Sequence, residues 1–187
     1  MASYPDFIDR SPPGLVDALC SRIEKVLQSF WQETNLENKD YHIPYVHAQY
    51  LPVTESEKEE PDETKGYPIV RVICTNGIVS DFHPAENGSE LILQIYFGGY
   101  RDNPDNQGWR IPTMMFWRVL LDLCSDNLCN GYLLEAPIKW SLQDTGEPPF
   151  YSAMMETKWK GAPQAIETPY EGVAALMQES EEKFEIL

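Results

Sequence analysis

Residues 91–142 read LILQIYFGGYRDNPDNQGWRIPTMMFWRVLLDLCSDNLCNGYLLEAPIKWSL, and the rest of the chain is arranged around them. Leu91, Leu93, Ile95 and Phe97 fall on one side of a period-two pattern, with Glu90, Ile92, Gln94 and Tyr96 on the other. That alternation is the signature of a strand with one more deeply buried face. Residues 98–106 are rich in Gly, Asn, Asp and Pro, whose turn geometries strands exclude, so a loop is expected there. A helix is expected from about Pro112 or Thr113, because proline is tolerated in a first turn and threonine can cap one. Met115, Phe116, Val119, Leu120, Leu123 and Cys124 give it one apolar stripe. Asn130-Gly131 is expected to close that helix, since glycine takes the left-handed conformation found at helix ends. Residues 132–134 and 138–142 return as strand, interrupted at Pro137. A helix held between strands lies across a sheet, so the expected class is α+β: a mainly antiparallel sheet with two amphipathic helices packed on one face.

The other helix is upstream. Ser11-Pro12-Pro13-Gly14 opens it, with Ser11 as cap, and Leu15, Leu19, Ile23, Val26, Leu27 and Phe30 form its expected buried stripe. Residues 41–53 alternate around Val46, Ala48 and Tyr50 but contain Pro44 and Pro52, which cannot donate to a ladder, so an edge strand is expected. Residues 67–74 are rich in β-branched side chains, and Asn76-Gly77 reads as a tight turn that lets residues 78–82 pair back as a hairpin. Phe150 to Trp159 is a last strand, with Tyr151, Ala153, Met155, Thr157 and Trp159 on one face. Two segments are too acidic to join a core: an insert at 54–66 and an extension at 166–187, the latter with a weakly amphipathic helical pattern over 171–184. The expected organisation is one domain over 1–165 that carries the insert, followed by the extension.

At 187 residues the chain suffices for one sizeable core. Its net charge of −16, from 30 acidic and 14 basic residues, opposes binding to phosphate backbones. No apolar run approaches the roughly 20 residues that span a bilayer, and the N-terminal residues lack a basic-then-apolar signal pattern, so residence in a cytoplasm is the expectation. Cys20, Cys74, Cys124 and Cys129 form no paired motif and are expected to be reduced and mostly buried. No metal and no cofactor is implied, because His42 and His47 are five apart and no second cysteine pair exists.

Reactive constellations are equally scarce. The chain has no phosphate-cradling glycine loop, no nucleophile elbow and no zinc helix motif. Asp81 and His83, with Ser80 or Ser89 nearby, make only a short-range pattern that surface hydrogen bonding explains as well. Four of the five tryptophans, Trp31, Trp117, Trp140 and Trp159, fall on expected helices or strands and are expected to pack. Trp109 follows the loop and is flanked by Gly108 and Arg110, an aromatic beside a guanidinium on a loop, as in an interface anchor. Tyr100, Arg101, Trp109 and Arg110 are therefore the candidate subunit-interface residues. An enzyme is not expected. An acidic adaptor or inhibitor that masks a basic partner is the competing expectation.

The order of pieces resembles a known family. An N-terminal amphipathic helix precedes Tyr67-Pro68-Ile69-Val70-Arg71-Val72, then Leu91-x-Leu93-x-Ile95-x-Phe97-Gly98-x-Tyr100. Gln107-Gly108-Trp109 leads into the second helix, Leu134-Glu135-Ala136-Pro137-Ile138-x-Trp140 follows it, and a strand ends in Trp159. Over about residues 13–165 this is similar to the tail terminator proteins (tail completion, or head–tail joining) of long-tailed bacteriophages. The resemblance implies a structural virion protein, assembled in the host cytoplasm as a homo-hexameric ring at the head-proximal end of the tail. It implies three partners: further copies of the chain, the tail tube protein and the head–tail connector protein. DNA would pass through the ring without specific binding. The acidic insert and extension depart from the compact pattern of the family.

Overall fold

The computed structural model describes residues 11–34, 42–49, 67–79, 89–101, 107–143 and 149–161. The insert at 54–66, the helical pattern at 171–184, the trio Ser80, Asp81 and His83, and loop residues 102–106 lie outside the described residues.

Helix α1 spans Pro12–Thr34. Its first turn forms as the sequence requires: Ser11 Oγ accepts from the Gly14 N–H at 3.2 Å, occupying a donor that a helix start leaves free. The buried residues Leu15, Val16, Leu19, Ile23, Leu27 and Trp31 recur at nearly every fourth position. Trp31 thus belongs to the core, whereas Val26 and Phe30, expected on the stripe, are only half-buried at its margin.

Six strands form one sheet: β1 (Tyr45–Ala48), β2 (Ile69–Val79), β3 (Ser89–Tyr100), β4 (Leu128–Cys129), β5 (Tyr132–Gln143) and β6 (Phe150–Gly161), in the order β1-β2-β3-β6-β5-β4. Every neighbouring pair is antiparallel except β1 with β2. Helix α2 spans Arg110–Ser125 and lies with α1 against one face of the sheet. The architecture is α+β, a mainly antiparallel sheet with both helices on one face, and the expected edge strand is β1.

Burial follows the alternation strictly along β3, where Leu91, Leu93, Ile95 and Phe97 are at most 4% exposed. Val70 and Val72 of β2 and Ala153, Met155, Thr157 and Trp159 of β6 share that face, beneath Met115, Phe116, Val119 and Leu123 of α2. Thr157 is the one buried hydroxyl among these: it donates to the Leu93 carbonyl at 3.2 Å and accepts from the Trp159 indole N–H at 2.9 Å. Both polar groups are thereby satisfied inside the core.

Four local expectations are corrected. Strand β3 does not stop at Phe97 but runs to Tyr100, because Gly98 and Gly99 serve close packing rather than a turn. A Cβ on Gly98 would meet Ile69 at 2.7 Å, and one on Gly99 would meet Pro112 at 2.8 Å. Second, Asn76-Gly77 is not a turn. Strand β2 continues through it beside β3, with a bulge between Cys74 and Asn76, and a Cβ on Gly77 would lie 2.8 Å from Leu91 Cδ2. Third, Asn130-Gly131 does not end α2, which finishes at Ser125. With φ of 50° and 80° the pair forms the two-residue connection between β4 and β5, whose left-handed geometry suits asparagine followed by glycine. Fourth, Pro137 does not break the strand in two. It sits in an irregularity of β5 between Glu135 and Lys139, where the ladder to β6 is interrupted.

The end of α2 is held instead by Arg22 of α1. Its guanidinium donates to the carbonyls of Asp122 (3.0 Å), Asp126 (2.7 Å) and Leu128 (3.1 Å), and to Asp122 Oδ2 at 2.6 Å. A cation among the carbonyls at and just beyond the C-terminus complements the negative end of the helix and ties the two helices together.

Candidate functional site

The four candidate interface residues gather at one end of the sheet, in two groups. Tyr100, the last residue of β3, packs its ring against Phe150 (5.3 Å between centroids) and Tyr67 (6.4 Å) on the face without helices. Tyr67 also meets Phe150 at 5.5 Å, and the absence of a side chain at Gly98 makes room for the Tyr67 ring. Arg101 follows, its backbone N–H donating to the Pro149 carbonyl at 2.9 Å.

Trp109 and Arg110 form the other group, at the start of α2. Gly108 lies flat against Tyr151, whose ring a Cβ would strike at 2.1 Å, so only glycine lets the chain enter α2 along this path. Trp109 occupies the helix-capping position without a side-chain cap, and Thr113 donates through its hydroxyl to the Trp109 carbonyl at 2.7 Å. The Trp109 indole is half-exposed, and the Arg110 guanidinium stands 5.7 Å from its ring centre, a cation–π distance.

A second aromatic surface was not legible as such in the sequence. Trp117 and Trp140 are 54% and 53% exposed, and each lies against Phe116, at 5.4 and 5.3 Å between ring centres. Leu142, two residues along β5, extends this apolar patch on the helix-bearing side. One signal did exist: Trp117 falls off the stripe of Met115, Phe116, Val119 and Leu123 and so had to point elsewhere.

The face without helices carries a charge ladder. Lys158 of β6 bridges Glu90 of β3 (2.9 Å) and Glu135 of β5 (3.4 Å), while Lys139 of β5 meets Glu156 of β6 at 2.9 Å. The Glu156 carboxyl is held below the usual carboxylate range by its bond from Lys139 and a further one from Gln94. Lys158 is pushed above the usual lysine range by the bonds to Glu90 and then Glu135, against the cost of desolvation.

Charge is unevenly divided along the chain. The described residues hold eight Asp and Glu against nine Lys and Arg, a net +1; the remaining 22 acids and five bases account for −17.

The chain matches no family model, and no curated protein is significantly similar to it in sequence. Its possible chemistry therefore has to be read from its own groups. Ser89, one of the two serines near Asp81 and His83, is buried and donates to the Gly161 carbonyl at 3.4 Å. All four thiols are free. Only Cys129 is fully buried; Cys20 and Cys74 are half-buried and Cys124 is exposed, so the expectation of mostly buried thiols is corrected. Burial, then the neighbouring Asp17 and Glu24, pushes the Cys20 thiol up to about 12. Cys74 and Cys129 are raised by burial as well, Cys129 against the opposing influence of Arg22, so these thiols are protonated and weakly nucleophilic at neutral pH. Among the described residues, no three His, Cys, Asp or Glu side chains converge as a metal site, and no helix is long and apolar enough to cross a membrane. Among the described residues, α1 and α2 border an open groove of about 400 Å³, lined by Lys25, Val26, Ser29, Arg118, Leu121, Asp122 and Ser125.

Proposed function

We infer that this chain is a structural assembly protein of a phage tail: a ring-forming terminator that caps the tail tube, stops its growth and offers a surface to the head connector. The observation that carries this reading is the coincidence of motif order with architecture. The segments that resemble the family, from α1 through the strand ending at Trp159, are the elements of one sheet with both helices on a single face. The role is served by surfaces, and exposed aromatic groups at Trp109, Trp117 and Trp140 suit contact with other protein chains. In this reading the protein catalyses nothing and resides in the virion, at the head-proximal end of the tail.

DNA that crosses such a ring must not be gripped. Lys139 and Lys158 on the face without helices are each engaged by carboxylates, and the excess acid of the whole chain disfavours phosphate. The second reading, an acidic adaptor or inhibitor that masks a basic partner, draws on the 22 acids that lie outside the described residues.

A genetic test separates the two. Removal of this chain from the phage that encodes it is expected to give tails of uncontrolled length that fail to join heads, with restoration when the chain is supplied in trans. Normal tails and full infectivity without it would overturn the reading.

A further inference from the structure

Among the described residues the sheet ends in two bare edges, and they match. On the β5 side, β4 pairs only with residues 132 and 133, so among the described residues nothing lies along the outer side of residues 139–143. The Leu134 N–H points outward, to the Asn127 carbonyl at 2.8 Å. Carried along the ladder to β6, the strand alternation directs the backbone N–H and C=O of Trp140 and Leu142 outward too, while Lys139 and Ser141 face β6. On the other side of the sheet, the N–H groups of Tyr45 and Gln49 donate to the carbonyls of Pro68, just before β2, and of Val72 within it. Val46 and Ala48 of β1 therefore present their backbone groups outward. Each edge offers two donors and two acceptors.

Direction and side agree as well. Following the pairings across the sheet, β5 runs opposite to β1, so copies set side by side with their helices on the same side bring these two edges together antiparallel. In an antiparallel hydrogen-bonded pair the facing side chains lie on one side of the sheet. Trp140 and Leu142 share the helix-bearing side with Met155 and Ala153, their partners on β6, and Val46 shares it with Val70. The pairing thus needs no bulge to align the apolar sides. It also sets the exposed Trp117 and Trp140, which flank the buried Phe116, beside the next copy's α1, which packs over β1. Proteins ordinarily protect such edges with charge, proline or a bulge. Here Pro137 and the irregularity around it guard the middle of β5, and the stretch past Lys139 carries Trp140 and Leu142 instead.

We propose that residues 139–143 of one copy pair antiparallel with residues 45–48 of the next, a head-to-tail contact that continues the sheet from subunit to subunit. Such a contact closes into a ring or propagates as a filament according to the rotation at each step. The inference rests on the reading that copies of this chain assemble, and is independent of what the assembly caps.

Proline substitutions test it, because they remove only outward donors. Leu142→Pro and Ala48→Pro each delete one such N–H, leave the inner ladder intact and place a ring where the partner strand must lie. In sedimentation of the full chain, with folding checked by circular dichroism, the native protein is expected to assemble and each variant to associate at least about tenfold more weakly. An equal mixture of the two retains one intact edge of each kind and is expected to give a species of twice the 21.5 kDa chain mass. Trp140→Lys, which leaves every backbone group in place, is expected to weaken association in the same direction, and it serves if a proline variant fails to fold. Native assembly that none of the three variants weakens would overturn the edge pairing and leave the ring standing. A native chain that stays monomeric at every concentration would overturn both.

Discussion

Tyr96 and Phe97 are consecutive residues of one strand, yet they belong to two different surfaces of this molecule. Phe97 is fully buried and meets Phe116 of α2 edge-on at 6.1 Å, whereas Tyr96 stands on the face without helices and donates its hydroxyl to Gln94 at 2.8 Å. The helix-bearing face holds the fold together by excluding water; the other, apart from the rings of Tyr67, Tyr100 and Phe150 at one end, is a lattice of polar and charged pairs whose net contribution is small in solvent. A surface that adds little to stability is free to be shaped by contacts with other molecules.

The sharpest way to break that contrast is to truncate both residues. Phe97→Ala removes a buried ring beneath α2 and is expected to cost about 3–5 kcal/mol in denaturant unfolding. Tyr96→Ala is expected to cost clearly less; equal losses would mean that the two faces do not differ as described. Glycines give a finer version. Gly99→Ala forces a methyl against the Pro112 ring and Ile111 on the covered side, where little can yield, and is expected to cost on the order of 1–3 kcal/mol. Gly98→Ala meets Ile69 Cγ2 and the edge of the Tyr67 ring on the half-exposed side, where side chains bordering solvent yield more readily than the buried start of a helix, so the smaller loss of melting temperature is expected there. The smallest effect belongs to Glu156. Its folded-state carboxyl titrates below its unfolded one, so its contribution is present above the ordinary carboxylate range and fades as pH falls through the lowered folded value. Glu156→Gln is expected to lower the neutral plateau of a melting-temperature profile slightly and to leave its acid end nearly unchanged, so that the acid limb is a little flatter.

Much of this was legible in the sequence because alternation and helical spacing are imposed by burial itself. The apolar face of β3, the shared face of β6 from Ala153 to Trp159, and most of the α1 stripe follow from period alone. Turn signals were less informative, because the same dipeptide serves different ends. Asn130-Gly131 adopts the left-handed pair that joins β4 to β5, while Asn76-Gly77 stays extended, its glycine making room for Leu91 of the neighbouring strand. Nothing within either dipeptide distinguishes these cases; what decides is whether a long partner strand lies alongside. Gly98 and Gly99 follow the same logic, since a ring or a helix start packs onto each.

The candidate interface was legible only in part. Trp109 beside Arg110 stood out by composition, and the two do meet at cation–π distance. Tyr100 and Arg101 lie close in sequence, but the pleat sends the Tyr100 ring to the opposite face, into a cluster with Tyr67 and Phe150 that no local pattern announces. The patch of Phe116, Trp117 and Trp140 joins a helix to a strand that follows it, so it exists only once the sheet order is known. The edge of β5 that is bare among the described residues is likewise a property of topology.

The most direct test of the central claim, that this chain acts through its surfaces to end a growing tube, is tube elongation in vitro. Tail tube subunits of the same phage would polymerise with and without the full-length chain, followed by light scattering and by electron microscopy of tube ends. Elongation is expected to stop early in its presence, with additional ring-shaped density at one end of each tube. Tubes of unchanged length with bare ends would contradict the account.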